Sequence, residues 1–126
     1  MSIAKQKGYK KLTILGQEIL PGKGAQLNLE VAHLHTRTPI QVPVLVERAK
    51  EDGPTVLVMA GLHGDELNGI EIVRRFLRKK LNKPTKGTII CLPIFNIFGF
   101  LNLQRELPDG RDLNRSFPGS NNGSLA

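Results

Sequence analysis

The chain has 126 residues, of which 40% are hydrophobic and 23% charged, proportions typical of a soluble globular chain with no room for a second full domain. No apolar run approaches the roughly 20 residues that a membrane-spanning helix needs, and the N-terminus has no apolar signal core, so we expect a cytoplasmic protein with no membrane partner. The lone Cys91 excludes an internal disulfide, and one Tyr with no Trp leaves few aromatic platforms for stacking on nucleic-acid bases.

The net charge of +7 is concentrated in two stretches that contain no acidic residue. One stretch falls at the end of a predicted helix, where cations complement the negative end of the helix dipole. We therefore interpret it as a solvated helix end and expect no nucleic-acid partner, although a basic nucleic-acid accessory is the alternative that this stretch alone favours. The two stretches contain Arg74, Arg75, Arg78, Lys79, Lys80, Lys83 and Lys86, and Lys5, Lys7, Lys10 and Lys11 near the N-terminus.

The first third of the chain predicts short strands and a β-hairpin. Residues 12–15 form a short apolar segment between glycine-containing turns. Apolar residues then alternate with mostly polar ones over 27–31 and again over 40–46, on either side of a turn at 36–39, which is typical of a hairpin. His33 and His35 continue the alternation of the first arm, so we expect them on its apolar face in a structural role.

The middle of the chain predicts a strand-helix-strand unit. Thr55 to Ala60 is continuously apolar and β-rich, as expected of a central strand buried on both faces. Apolar residues then recur at helical spacing from about Glu66 to about Leu81, and Thr88 to Leu92 forms a second apolar strand closed by Pro93. The handedness of such units predicts that the two strands are parallel neighbours in one sheet.

The segment from Asn102 onward lacks periodicity and is predicted to be loop. It is rich in Asp, Asn, Gly, Pro and Arg, the residue types that concentrate in functional loops. Ser124-Leu125-Ala126 has the pattern of a helix N-cap followed by the first helical residues. We therefore expect the sequence to be truncated.

The first motif with chemical potential is Gly61-Leu62-His63-Gly64-Asp65-Glu66, directly after the predicted Thr55 to Ala60 strand. Ligands of open α/β sheets bind at the carboxyl ends of the strands. A His and a Glu separated by two residues can converge on one zinc through imidazole nitrogen and carboxylate oxygen. The alternative makes His63 an ordinary loop residue and Glu66 a partner of the helix dipole.

The second motif runs from Arg105 to Gly119 and contains three arginines within eleven residues. Its Asn114-Arg115 pair offers an amide and a planar guanidinium, which suit two-point binding of a carboxylate. The alternative pairs Arg111 and Arg115 with Asp109 and Asp112 as surface salt bridges.

Both motifs, with Pro54-Thr55, Pro93-Ile94-Phe95-Asn96 and the stretch from Asp109 to Gly119, resemble the succinylglutamate desuccinylase and aspartoacylase family, which is related to zinc carboxypeptidases. The resemblance covers nearly all of the chain from about Leu27 onward. It implies an α/β fold: a zinc-carboxypeptidase-like mixed sheet with flanking helices, preceded by the N-terminal β-hairpin. Residues 1–126 would then be a single partial domain, the N-terminal half of a zinc-dependent deacylase-like catalytic domain.

The resemblance also implies roles for individual residues. His63 and Glu66 would be zinc ligands, Asn114 and Arg115 would hold the substrate carboxylate, and Arg105 would polarise the scissile carbonyl. Family members hydrolyse the amide bond of an N-acylated amino acid or a related small molecule, with a metal-bound water as nucleophile. No such role falls to Arg111.

One departure from the family limits these implications. The family's third zinc ligand, a His, and its general-base Glu lie downstream of the Asn-Arg motif, beyond Ala126. We therefore expect one zinc ion with two of three protein ligands present, and an inactive isolated chain. A carboxylate-binding module without catalytic activity is the alternative. A chain that ends partway through its sheet would also expose a strand edge, which predicts self-association or a homo-oligomer.

Overall fold

The computed structural model describes residues 8–126, so Lys5 and Lys7 of the N-terminal basic stretch and the start of the chain lie outside the described residues. A small hairpin comes first, made of two two-residue strands joined by a turn in which Leu15 and Gly16 both have positive φ. The described elements are β1 (Thr13–Ile14), β2 (Gln17–Glu18), β3 (Gly24–His33), β4 (Pro39–Arg48), β5 (Glu51–Met59), α1 (Leu67–Arg78), β6 (Lys86–Leu92) and α2 (Ile97–Asn102), followed by a 3-10 turn at Leu113–Arg115.

Strands β3 to β6 form one mixed sheet in the order β3-β4-β6-β5. The β3–β4 and β4–β6 pairs are antiparallel. The β5–β6 pair is parallel, with Val56 opposite Ile89 and Val58 opposite Cys91, and α1 lies between the two strands in the chain. The structure thus confirms an α/β fold with a mixed sheet, the predicted hairpin and the parallel strand-helix-strand unit.

The prediction that the Thr55 to Ala60 strand is central and buried on both faces is wrong for the described residues. The strand, β5, lies at the edge of the sheet, and β4 of the hairpin takes the inner position beside β6. Val56 and Leu57, which point to opposite faces, are 49% and 53% exposed. The apolar composition of a strand indicates that it prefers to be buried, but it does not determine the position of the strand in the sheet. In residues 8–126 that position is an edge.

The core lies on one face of the sheet, where side chains of both hairpin strands meet the small N-terminal hairpin. Arg48, at the end of β4, is buried and joins the two hairpins through donated hydrogen bonds of 2.6 Å to the carbonyls of Ile19 and Lys10. Buried carbonyl groups need such partners. The buried apolar residues of this core are Ile19, Leu27, Val42, Val44, Val46 and Leu92.

His33 and His35 are exposed, so the prediction that they share the apolar face of the first hairpin arm is wrong. The pairing register shifts between Glu30 and Ala32, which breaks the alternation before the arm reaches His33. The His33 Nε2 atom lies 2.8 Å from the Glu30 carboxylate, and His35 follows the end of β3.

Helix α1 is shorter at both ends than the predicted span, ending at Arg78 before Lys80 turns to a positive φ of 56°. The basic stretch at its end is partly paired. Arg74 and Arg75 both donate to Glu71, and these hydrogen bonds lower the pKa of Glu71 to about 2. No helix in residues 8–126 is long and apolar enough to cross a membrane.

Candidate metal and substrate site

The loops that follow the two parallel strands lie side by side at the carboxyl edge of the sheet. The Ala60 amide donates to the Leu92 carbonyl at 3.0 Å, and the Phe95 amide donates back to Ala60 at 2.8 Å. The Asn96 amide continues this ladder with a 2.8 Å bond to Gly61. The glycine-histidine loop is therefore fixed directly beside the loop after β6.

His63 and Glu66 are brought together at this edge. The His63 ring is buried, and its Nδ1 atom lies 3.1 Å from Oε1 of Glu66. Glu66 occupies the N-cap position of α1 without making a side-chain capping bond, so its exposed carboxylate faces the imidazole. The other ring nitrogen, Nε2, lies 2.9 Å from Oδ1 of Asp112.

This donor set fits a zinc ion. Two ligand atoms on a tetrahedral zinc, with bonds of about 2.0–2.2 Å, lie roughly 3.3–3.6 Å apart, slightly more than the 3.1 Å between Nδ1 and Oε1. Metal-binding histidines usually donate their second ring N–H to a carboxylate, a backbone carbonyl or a water, and Asp112 occupies the carboxylate position here. Because Asp112 meets the opposite edge of the ring, it does not share an ion bound at Nδ1. Among residues 8–126, no three His, Cys, Asp or Glu side chains are arranged to hold a metal ion.

Asp112 is the residue through which the two motifs meet. Its Oδ1 atom also accepts from the Asn114 amide at 2.9 Å, which caps the 3-10 turn at Leu113–Arg115. Its Oδ2 atom lies 3.2 Å from Nη2 of Arg105 and 3.6 Å from Nε of Arg115. The sequence predicts Asp112 only as a salt-bridge partner, although an Asp at the start of a turn also indicates a positioned carboxylate.

The same contacts shift two pKa values. The hydrogen bond to the Asp112 carboxylate raises the pKa of His63 above its usual 6.5, against burial and the nearby Arg105 charge, which lower it. Conversely, the bond with His63 lowers the pKa of Asp112 below 3.8. The contacts with Asp112 and Glu66 therefore stabilise the protonated form of the imidazole relative to a free histidine, and a metal at Nδ1 would compete with a proton there.

The predicted substrate residues lie around Asp112. Arg105 lies near the carboxylates of both Asp112 and Glu66, and its Nη1 atom is 3.6 Å from Oε1 of Glu66. Arg115 is 82% exposed along its side chain and free to meet a solute, and Asn114 is exposed as well. Arg111 turns elsewhere, donating to the Ser124 hydroxyl at 2.6 Å.

The alternative of surface salt bridges also has support in the geometry. Arg111 lies 3.6 Å from Asp109, and Arg115 lies 3.6 Å from Asp112. The Asp112 pair differs from an isolated surface pair because the same carboxylate also binds the buried His63 ring. A shared carboxylate of this kind couples the arginines to the histidine.

Helix α2, which the sequence analysis does not predict, packs beside the site. Asn96 is its N-cap, and its side chain accepts from the Gly99 amide at 2.9 Å. A Cβ atom on Gly64 would overlap the Gly99 backbone, so only glycine allows the histidine loop to pack on α2 this closely. The available signal was an Asn directly before an apolar run, the pattern of a helix start.

The chain resembles known proteins in sequence and in structure. Residues 52–126, more than half of the chain, match the model of the succinylglutamate desuccinylase/aspartoacylase catalytic domain. An N-alpha-acetyl-L-2,4-diaminobutyric acid deacetylase of Halomonas elongata is 37% identical over 87 residues, which are 68% of this chain and 25% of that protein.

Two solved structures extend the likeness to the fold. An aspartoacylase family protein from Mesorhizobium loti matches with a TM-score of 0.69 and 30% identity, over 92% of this chain and 36% of that one. A succinylglutamate desuccinylase/aspartoacylase from Rhodobacter sphaeroides matches with a TM-score of 0.66 and 29% identity, over 81% and 32%. This chain thus spans about a quarter to a third of the length of these relatives, and by the domain match it belongs to the succinylglutamate desuccinylase/aspartoacylase family.

Proposed function

We propose that this chain carries the metal half-site and the substrate half-site of a zinc-dependent deacylase that hydrolyses the amide bond of an N-acylated amino acid or a related small carboxylate. His63 and Glu66 would hold the zinc ion. The observation that supports this most is the 3.1 Å approach of His63 Nδ1 to Glu66, with Nε2 held from behind by Asp112. A loop histidine with a merely structural role does not need carboxylates at both nitrogens.

Bound zinc would act as a Lewis acid and lower the pKa of a water molecule, the chemistry that amide hydrolysis at neutral pH requires. The protein groups would supply orientation and charge. Asp112 keeps the imidazole turned with Nδ1 toward Glu66. Arg105, whose Nη1 atom lies 3.6 Å from Glu66, would donate to the oxygen of the scissile carbonyl as negative charge develops there.

The arginine spacing favours a small carboxylate substrate. Asn114 and Arg115 would grip the carboxylate while Arg105 meets the acyl carbonyl. In an N-acyl amino acid only the amide nitrogen and the α-carbon lie between these two groups, so their binding groups must be close together. Arg105 and Arg115 meet this condition, because both lie within 3.6 Å of the same Asp112 oxygen.

The relatives guide the choice of substrates for a test. The full-length natural protein is assayed for amine release from Nα-acetyl-L-2,4-diaminobutyrate, N-acetyl-L-aspartate and N-succinyl-L-glutamate, the compounds suggested by the relatives' names. We expect hydrolysis of at least one, loss of activity after chelation and recovery with added zinc. Hydrolysis that persists unchanged in a chelated, metal-free sample, or in the His63→Ala variant, contradicts the proposal.

A second candidate function is a carboxylate-binding module without turnover. The observation that favours it is the exposed Arg115 beside a metal half-site that gains no third ligand within residues 8–126. Calorimetry with the same three compounds separates the candidates. Binding that depends on Arg115, with no product formed by the full-length protein, selects the binding module.

A further inference from the structure

We infer that Asn96 is a positioning residue that holds Arg105 at a fixed distance from His63, and that it sets the rate of the proposed reaction through Arg105. The inference rests on the proposed function. The Asn96 side chain has no hydrogen bond to His63, to Glu66 or to the Arg105 guanidinium; it acts through the backbone carbonyl of Arg105.

The segment that carries Arg105 has no regular secondary structure of its own. It lies between the end of α2 and the 3-10 turn, and the neighbouring Gln104 amide donates to the Gly99 carbonyl of α2 at 2.8 Å. The Arg105 carbonyl instead accepts two hydrogen bonds from outside the segment, from the Gly64 amide at 3.4 Å and from the Asn96 side-chain amide at 3.3 Å. The Gly64 bond ties the arginine backbone directly to the loop that contains His63, and the Asn96 bond ties it to a residue whose own amide donates to Gly61 of that loop.

Asn96 is itself rigidly held. It is 1% exposed, its Oδ1 atom accepts from the Gly99 amide at 2.9 Å, and its backbone amide donates to Gly61 at 2.8 Å. One residue thereby connects the start of the histidine loop, the first turn of α2 and the Arg105 backbone. A buried polar side chain whose nitrogen and oxygen are both hydrogen-bonded favours a single arrangement of the segments that it joins.

The consequence for the reaction follows from geometry. The Arg105 guanidinium must meet a charge that develops on the substrate, and a displacement of about 1 Å in such a group can cost about 100-fold in rate. Losing the Asn96 amide leaves the longer Gly64 bond in place, so we expect a smaller effect, about tenfold on kcat. Ground-state binding of the carboxylate by Arg115 should change little.

The alternative is that Asn96 serves only as the N-cap of α2. Serine is also a preferred N-cap and can accept from the Gly99 amide, but its short side chain has no amide group to donate to Arg105. Asn96→Ser therefore keeps the cap and removes the tether, whereas Asn96→Ala removes both. Asn82 is another buried asparagine, beyond the end of α1 and outside the site, and Asn82→Ala is the matched control for burial.

The test measures kcat, KM, zinc content and thermal unfolding of the full-length natural protein, with the compound that the wild type hydrolyses fastest among the three named above. We expect Asn96→Ser and Asn96→Ala each to lower kcat about tenfold, to change KM less than about threefold and to leave the zinc content unchanged. Asn96→Ala should lose more thermal stability than Asn96→Ser, because it also loses the helix cap.

Three outcomes overturn the inference. A wild-type kcat in Asn96→Ser leaves only the capping role. An equal loss of kcat in Asn82→Ala shows a general effect of destabilisation. If the wild type has no activity at all, the proposed function fails first and takes the inference with it, whereas an active wild type with an unaffected Asn96→Ser variant refutes the inference alone.

Discussion

Removing the Asp112 carboxylate should weaken zinc binding without removing either proposed ligand. Asp112 holds Nε2 of His63 at 2.9 Å, so its loss frees the ring to rotate away from Glu66. Replacing such a carboxylate behind a metal-bound histidine typically lowers metal affinity about 10- to 100-fold. Zinc binding by this site should therefore respond to a residue that does not touch the ion.

Two substitutions of Asp112 should lower zinc affinity by different amounts within this 10- to 100-fold range. Asp112→Ala removes the acceptor for His63 and also the cap of the Asn114 amide, so we expect about a 100-fold loss of zinc affinity. Asp112→Asn can keep an oxygen facing Nε2 but presents an uncharged amide to Arg105 and Arg115, so we expect about a tenfold loss.

The assay is competition for zinc against a chromophoric chelator at constant pH. Asp109→Asn is the control, because Asp109 lies in the same loop but its contacts are with Arg111. Wild-type zinc affinity in Asp112→Ala would refute the reasoning, as would an equal loss in Asp109→Asn.

Three further predictions follow from the site and the sheet. In the full-length enzyme, Arg115→Lys should mainly raise KM, because lysine cannot bind the substrate carboxylate in bidentate fashion. Arg105→Ala should instead lower kcat about 100- to 1000-fold and leave KM nearly unchanged. Equal effects of the two substitutions on kcat and KM in steady-state kinetics would contradict these roles. Because the pKa of His63 is raised, its protonated form stabilises the metal-free chain below about pH 6.5, and this contribution is lost as the pH rises through the higher folded-state pKa. Zinc affinity should rise over the same pH range, because the metal replaces a proton on the ring. Thermal melts and zinc titrations from pH 5.5 to 8.5 should therefore show opposite trends, and His63→Gln should abolish both. The 126-residue chain should self-associate through the edge of β5, where Val56 and Leu57 are half exposed, and Leu57→Lys should reduce the self-association. A wild-type chain that sediments only as a monomer at high concentration and unfolds cooperatively would contradict the prediction.

The parts of the fold that the sequence predicts are those set by local pattern. The hairpin and the strand-helix-strand unit follow from alternation, helical spacing and the handedness of parallel crossovers, all of which act over neighbouring residues. The edge position of β5 does not follow, because strand order depends on which distant segment pairs with β6. The register shift between Glu30 and Ala32 is likewise not predictable from the regular alternation of apolar and polar residues, and it changes the face on which His33 lies.

The site divides in the same way. His63 and Glu66 are three residues apart, so a single turn at the start of α1 brings them together and sequence spacing suffices to predict the pair. Asp112 is 49 residues from His63 in the chain, and only the folding of the late loop back onto the sheet edge reveals that it holds the imidazole. Asn96 was recognisable as part of a family motif, but its tether to Arg105 depends on packing that no spacing rule describes.

The most direct test of zinc ligation by His63 and Glu66 is the metal content of the full-length natural protein after purification without chelator. Plasma mass spectrometry should give about one zinc per chain for the wild type, and far less for His63→Ala and for Glu66→Ala when each remains folded by circular dichroism. Zinc retained at the wild-type level in both folded variants contradicts the assignment of this site.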